Sequence, residues 1–180
     1  GGWNINGNFS SVWLSVRNPS GDNGAIFPGW SFAVPTWSLV NEFEEGDPRK
    51  DATIYNAEEK LDEYTRAFMN TGYFNNKYMA LNAYIGSGGD PSHNFPRNFV
   101  DIRYADVLLM AAELFLDDNP SKALDYLNQV RTRSLGDDAA LTSITLDDIY
   151  HERRVEFGGE GLRKWDLLRR GNDYAASMIN

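Results

Sequence analysis

A flat indole ring beside amide or carboxylate side chains is chemistry suited to sugars. The ring face takes the apolar C–H face of a pyranose, and Asn or Asp satisfies its hydroxyls. This sequence concentrates that combination near its start. Four of its five tryptophans, Trp3, Trp13, Trp30 and Trp37, fall in the first 40 residues, where Arg17 and Asp22 are the only charged side chains. Trp3 stands beside Asn4 and Asn6, and the 17–23 loop adds Arg17, Asp22 and Asn23. Trp3, Trp30, Arg17, Asp22 and Asn23 are therefore the expected ligand contacts. Trp13, inside an apolar run, and Trp37, just ahead of Leu39 and Val40, read as core instead.

Other chemistries find less support. The sequence has two histidines, His93 and His151. His151-Glu152-Arg153-Arg154 lacks the second histidine of a zinc-binding H-E-x-x-H helix, so both histidines read as solvent-exposed. The doublets Asp117-Asp118, Asp137-Asp138 and Asp147-Asp148 lack the spacing of a calcium loop and read as helix caps. No metal and no other cofactor is expected. Gly86-Ser87-Gly88-Gly89 lacks the Gly-Lys-Ser/Thr ending of a phosphate loop. Cysteine is absent, which excludes a disulfide framework, a thiolate site and a thiol nucleophile. A glycosidase needs two carboxylates roughly 5–10 Å apart across a cleft. No pair stands out among the aromatics, and no catalytic residue is assigned.

The elements that must position these residues follow from composition and periodicity. A chain of 180 residues hides roughly 70% of its unfolded surface on folding. Hydrophobic content of 42% with 24% charged residues excludes wholesale disorder, and the net charge of −9 argues against a nucleic-acid partner. The longest apolar run, 107–112, is far short of a bilayer span. Gly1-Gly2-Trp3 shows neither an initiator Met nor a targeting segment. Residues 12–16 read as a strand closed by the turn-rich 18–24, and 36–45 as a short helix. Residues 42–63 carry nine acidic side chains against Arg49, Lys50 and Lys60. Tyr73, Phe74, Tyr78 and Tyr84 favour extended segments, and 86–96 a loop.

From residue 101 the pattern is helical. Residues 103–116 are apolar nearly all round, as for a helix buried on several sides. Asn119 and Pro120 supply an N-cap and a first helical position for the next helix, with its stripe of Ala123, Leu124, Leu127 and Val130. The pair makes an α-hairpin about the size of a tetratricopeptide unit, roughly 34 residues. Thr145 with Asp148 resembles a capping box opening a third helix, which runs to about Phe157 and Gly158-Gly159. A fourth spans 162–170, closed by Gly171. On the third helix Arg153 sits amid Leu146, Ile149, Tyr150 and Phe157. A guanidinium there needs a carboxylate, and Glu113 and Asp106 are the expected partners in a structural ion pair. The chain thus divides into a loop-rich, aromatic-rich, ligand-facing part, 1–100, and a helical scaffold, 101–180.

An ordered series of short motifs carries a family resemblance. It begins with Gly29-Trp30, Pro35-Thr36, Leu39-Val40, Phe43 and Asp47-Pro48-Arg49. It continues through Thr71-Gly72-Tyr73-Phe74-Asn75-Asn76-Lys77-Tyr78, and then Arg103-Tyr104-Ala105-Asp106-Val107-Leu108-Leu109-Met110-Ala111-Ala112-Glu113. Ala123, Tyr126-Leu127-Asn128-Gln129-Val130-Arg131 and Glu152-Arg153-Arg154-Val155-Glu156-Phe157 follow. Gly161-Leu162-Arg163-Lys164-Trp165-Asp166-Leu167-Leu168-Arg169-Arg170-Gly171 completes it. In this order the series resembles the mid-to-late region of SusD/RagB proteins.

That resemblance implies a mainly α fold, with tetratricopeptide-like helical hairpins packed against a loop-rich region holding a few short strands. It implies a non-enzymatic, surface-exposed outer-membrane lipoprotein of Bacteroidetes-type bacteria. Such a protein binds glycan or other nutrients and acts as a lid on a SusC-like TonB-dependent transporter. Contact with the membrane would run only through a lipid anchor absent from this chain. The family's N-terminal portion and its Asn-Pro-Gly-Tyr-like close are also absent, so the chain is expected to be roughly the C-terminal third to half of such a protein. Trp165 lies in a scaffold motif and is expected in the core. A helical-repeat protein-interaction module and a glycoside hydrolase are the alternatives.

Overall fold

The computed structural model describes residues 9–86, 90–93, 95, 98 and 100–178. In chain order the elements are α1 (Ser10–Leu14), α2 (Trp37–Val40), α3 (Pro48–Thr53), β1 (Ile54–Asn56), α4 (Ala57–Lys60), β2 (Tyr73–Asn75), α5 (Tyr104–Phe115), α6 (Pro120–Leu135), α7 (Leu146–Glu156), α8 (Arg163–Arg169) and α9 (Asn172–Ser177). The architecture is mainly α. Among the described residues no helix is long and apolar enough to cross a membrane. The described residues fall into two compact units, one within Gly1–Val40 and Asp51–Val100, the other within Asn41–Lys50 and Asp101–Asn180.

The first unit is loop-rich. Among the described residues its one named ladder is antiparallel and short, pairing Ile54 with Asn75, Tyr55 with Phe74 and Asn56 with Tyr73. Of the aromatics expected in extended segments, only Tyr73 and Phe74 enter it. Isolated bridges, Ser20 to Glu63 and Ile26 to Leu81, tie the loops together. The core gathers Val16, Ile26, Ala57, Phe74 and Met79, with a second cluster of Val12, Ala80 and Phe95. The strand expected over 12–16 is instead helix α1. Burial there falls on Ser11, Val12, Ser15 and Val16, the spacing of a helical turn rather than the alternation of a strand. The helix expected over 36–45 is confined to α2. Thr36 caps it by accepting from the Leu39 amide at 3.3 Å, and the chain then turns through Gly46 at φ +79°.

The second unit is helical, and local sequence signals set its boundaries. The Asn119 side chain accepts from the Lys122 amide at 3.1 Å to open α6, with Pro120 in the first turn. Gly136 at φ +87° ends that helix. Thr145 and Asp148 make a reciprocal capping box at the start of α7. α5 packs on α6, and α7 packs on both. Their shared core is Leu108, Leu109, Ala112, Leu127, Val130, Ile149 and Phe157. The expectation that the first of these helices is buried on several sides is corrected. Tyr104 is 73% exposed and Leu114 78%, so α5 buries one face and leaves large apolar side chains on another.

Candidate functional site

In the loop-rich unit a run of aromatic side chains stands at the surface. Phe9 meets Trp13 edge-on, with ring centroids 5.7 Å apart, and meets Trp30 at 5.1 Å. Trp30 in turn meets Phe32 at 5.8 Å, and the His93 ring stacks on Phe9 at 4.7 Å. Trp13, Trp30 and Phe32 are each about half exposed, at 46%, 45% and 53%. Large aromatics left this open cost solvation that a packed position would recover, which makes the clustered set a candidate binding face.

The backbone fixes the cluster. Carbonyls in and just after α1 accept from the segment beside them. Gly29 donates to Val16 at 2.7 Å, Trp30 to Val12 at 2.9 Å, Ser31 to Ser15 at 2.9 Å and Phe32 to Trp13 at 2.8 Å. A Cβ at residue 29 would lie 2.2 Å from the Val12 oxygen, so this approach requires glycine. Ser31 at φ +59° and Ala33 at φ +48° bend the chain on either side of Phe32.

The expected contact residues are only partly brought together. Arg17 reaches Trp30 through a 3.0 Å hydrogen bond from Nη2 to the Trp30 carbonyl. Asp22 is occupied within its own turn, accepting from the Gly24 amide at 3.1 Å and the Ile26 amide at 2.6 Å. Asn23 is exposed on that turn at φ +56°. Trp3 lies outside the described residues. Trp13 and Trp37, expected in the core, are exposed, and so is Trp165 at 60%. Hydropathy assigns an indole to the interior, whereas here the apolar neighbours Val12 and Val40 are buried instead.

Sequence reasoning missed a second aromatic face. A groove of about 760 Å³ is lined by Trp37, Tyr73, Met69, Asn70, Thr71, Arg66 and Glu58. Trp37 stands edge-on to Tyr73 at 4.9 Å. Arg66 donates to Glu58 at 2.9 and 2.7 Å, Tyr64 donates to Glu58, and Asn70 donates to Tyr64 at 3.0 Å. The Tyr64 hydroxyl and then Arg66 hold the Glu58 carboxyl below its ordinary range. The available signal was Thr71-Gly72-Tyr73 downstream of a charge-free tryptophan.

In the helical unit the buried charges are structural. Arg153, 3% exposed, donates from Nη1 to Asp106 at 2.7 Å and from Nε to Asp166 at 2.9 Å. Glu113, expected beside it, instead accepts from Tyr150 at 3.0 Å and Arg169 at 2.6 Å. Asp166, from the next helix, takes the place that spacing had given to Glu113. Burial pushes the Asp166 carboxyl above its ordinary value against the pull of Arg153. Arg49 similarly joins Asp47, Glu152 and Glu156. His151, expected in solvent, is half-buried and hydrogen-bonded to Glu42 at 2.9 Å, which raises its pKa against the effect of burial. Among the described residues no group of three or more His, Asp or Glu has a metal-ligating arrangement.

Comparison with known proteins places this geometry. The sequence pattern of the SusD family matches residues 50–178. The SusD-like protein P25 of Formosa agariphila is 31% identical over 156 residues, 83% of this chain and 28% of that protein. Surface glycan-binding protein A from Bacteroides fluxus superposes with a TM-score of 0.84 at 34% identity, over 97% of this chain and 37% of its own. Surface glycan-binding protein A from Bacteroides thetaiotaomicron, in complex with laminarihexaose, superposes with a TM-score of 0.84 at 32% identity, covering 97% and 39%. In each case the chain spans well under half of the relative's length.

Proposed function

This chain belongs to the SusD family, and from that premise we propose that it is part of a non-enzymatic glycan binder of the bacterial surface. Its ligand is an oligosaccharide or polysaccharide nutrient, and its receiving partner is a SusC-like TonB-dependent transporter in the outer membrane, to which a lipid anchor outside this chain would hold it. The observation that carries the reading is the exposed Phe9, Trp13, Trp30 and Phe32 cluster, held by backbone bonds to α1. Stacking on fixed rings binds a sugar without spending ordering entropy on the protein side. Arg17 beside Trp30 supplies hydroxyl-directed donors, and Asn23, exposed on the turn that Asp22 closes, is proposed as a further amide contact. Trp3, outside the described residues, is proposed as a further contact, and the Trp37–Tyr73 groove as a second aromatic contact face. A structural neighbour in complex with laminarihexaose, of which this chain covers 39%, supports laminari-oligosaccharides as the first ligands to try.

Calorimetric titration of laminarihexaose, followed by a panel of glycans, tests this. Saturable binding without release of reducing ends is expected, and Trp30→Ala should weaken it about tenfold while leaving the circular dichroism unchanged. Failure to bind any glycan of the panel would overturn the sugar assignment. Release of reducing ends would overturn the non-enzymatic one.

A further inference from the structure

A cavity of about 270 Å³ in the helical unit is lined from α7, α8 and α9 and by Glu42 from the segment between α2 and α3. Three guanidiniums, Arg154, Arg163 and Arg170, face two carboxylates, Glu42 and Asp147. Both carboxylates are already engaged. Glu42 accepts from Arg154 at 2.5 Å and is hydrogen-bonded to the His151 ring at 2.9 Å. Asp147 accepts from Arg170 at 2.5 Å. Arg163 is half-buried and makes no hydrogen bond or salt bridge with any described residue. Glu42 and Asp166 attract the Arg163 guanidinium only from beyond ion-pair distance, so among the described residues it lines the cavity with no carboxylate in direct contact.

Such an arrangement is costly without an anion. Burial and the neighbouring Arg154 both push the Arg163 guanidinium below its ordinary pKa, so a negative group arriving there would be stabilised. Beside it, the Tyr174 hydroxyl accepts from Arg170 at 2.7 Å and keeps its own proton to donate. A planar guanidinium fork with a phenol donor matches a carboxylate, which it can hold through two parallel hydrogen bonds. One unpaired positive charge balances a monoanion, whereas a phosphate dianion would remain half-neutralised. The volume falls just below the roughly 300 Å³ at which drug-sized pockets begin, room for one ring or a small acid.

We propose that this cavity binds a single carboxylate, carried by an acidic sugar unit or by a small organic acid, with Arg163 as its forked partner. The site does not draw on the aromatic surface, so its fate is separate from that of neutral-glycan binding.

Titration of the full chain with glucuronate, acetate and glucose at equal ionic strength tests the assignment. Glucuronate should saturate and glucose should not, and Arg163→Gln should weaken glucuronate about tenfold or more, the factor expected for losing a charge-assisted hydrogen bond. Acetate binding as tightly as glucuronate assigns the site to small carboxylates in general. Glucuronate binding alone assigns it to acidic sugars. Removing a cation with no carboxylate in direct contact should leave the thermal midpoint of Arg163→Gln equal to or above that of the wild type. Should the variant fail to fold, a glucuronate-dependent rise in the wild-type midpoint that glucose does not reproduce carries the test. The proposal is overturned if neither acid saturates, if glucose binds as well as glucuronate, or if a folded Arg163→Gln binds like the wild type.

Discussion

At Arg153 a guanidinium 3% exposed lies between Asp106 and Asp166, and its removal would leave two buried carboxylates facing each other. Breaking a buried pair by deleting one partner costs about 3–5 kcal/mol, far more than the pair contributes relative to an apolar substitute. Arg153→Ala should therefore lower the free energy of unfolding by about that amount in urea titration. Arg66 offers the contrast. Its side chain is 62% exposed and that of its partner Glu58 48%, so Arg66→Ala should leave the urea midpoint where it was. A midpoint for Arg153→Ala equal to the wild type would show that the charge is not structural. The need for a partner at Arg153 was legible from its place on the apolar face of α7. Which partner was not: Asp106 and Asp166 lie on two other helices, and only the folded geometry selects Asp166 over Glu113.

Among the elements, α6 and α7 were legible because their signals are local. A cap, a first-turn proline, a stripe at helical spacing and a closing glycine all act within a few residues. Helix α1 was not legible, since Val12-Trp13-Leu14-Ser15-Val16 satisfies a strand by composition. What decides it is a tertiary event, the capture of its carbonyls by Gly29 to Phe32. The same event leaves Trp13 at the surface, against its expected place in the core, and Trp30 exposed with it. Gly29 is the point at which sequence enforces it, with the Val12 oxygen 2.2 Å and the Ser15 Cβ 2.5 Å from where a methyl would stand. Gly29→Ala should force the two segments apart. Overpacking of this kind costs about 1–3 kcal/mol, and thermal unfolding should register it. Glycan affinity should fall in the same variant because Trp30 moves with its backbone. A variant that loses stability yet binds glycan unchanged would separate the cluster from the ligand.

Charge distinguishes the two proposed binding surfaces. The chain carries 26 acidic against 17 basic side chains, and the first 40 residues contribute only Arg17 and Asp22. Few charges in the segment that carries most of the aromatic cluster would suit the neutral polysaccharide proposed for it, held by ring contacts and hydroxyl hydrogen bonds. The Arg163 cavity works by the opposite logic, a local positive group within an acidic chain. Screening at 1 M salt shortens the Debye length to about 3 Å, against about 10 Å at 0.1 M, so it weakens the second interaction and spares the first. Laminarihexaose affinity should change by less than about twofold between those salt concentrations, whereas glucuronate affinity should fall severalfold. Calorimetry of both ligands across the series reads the difference directly. If the neutral glycan were as salt-sensitive as the acid, the aromatic surface would not be its seat, because stacking on Trp30 offers no charge for salt to screen.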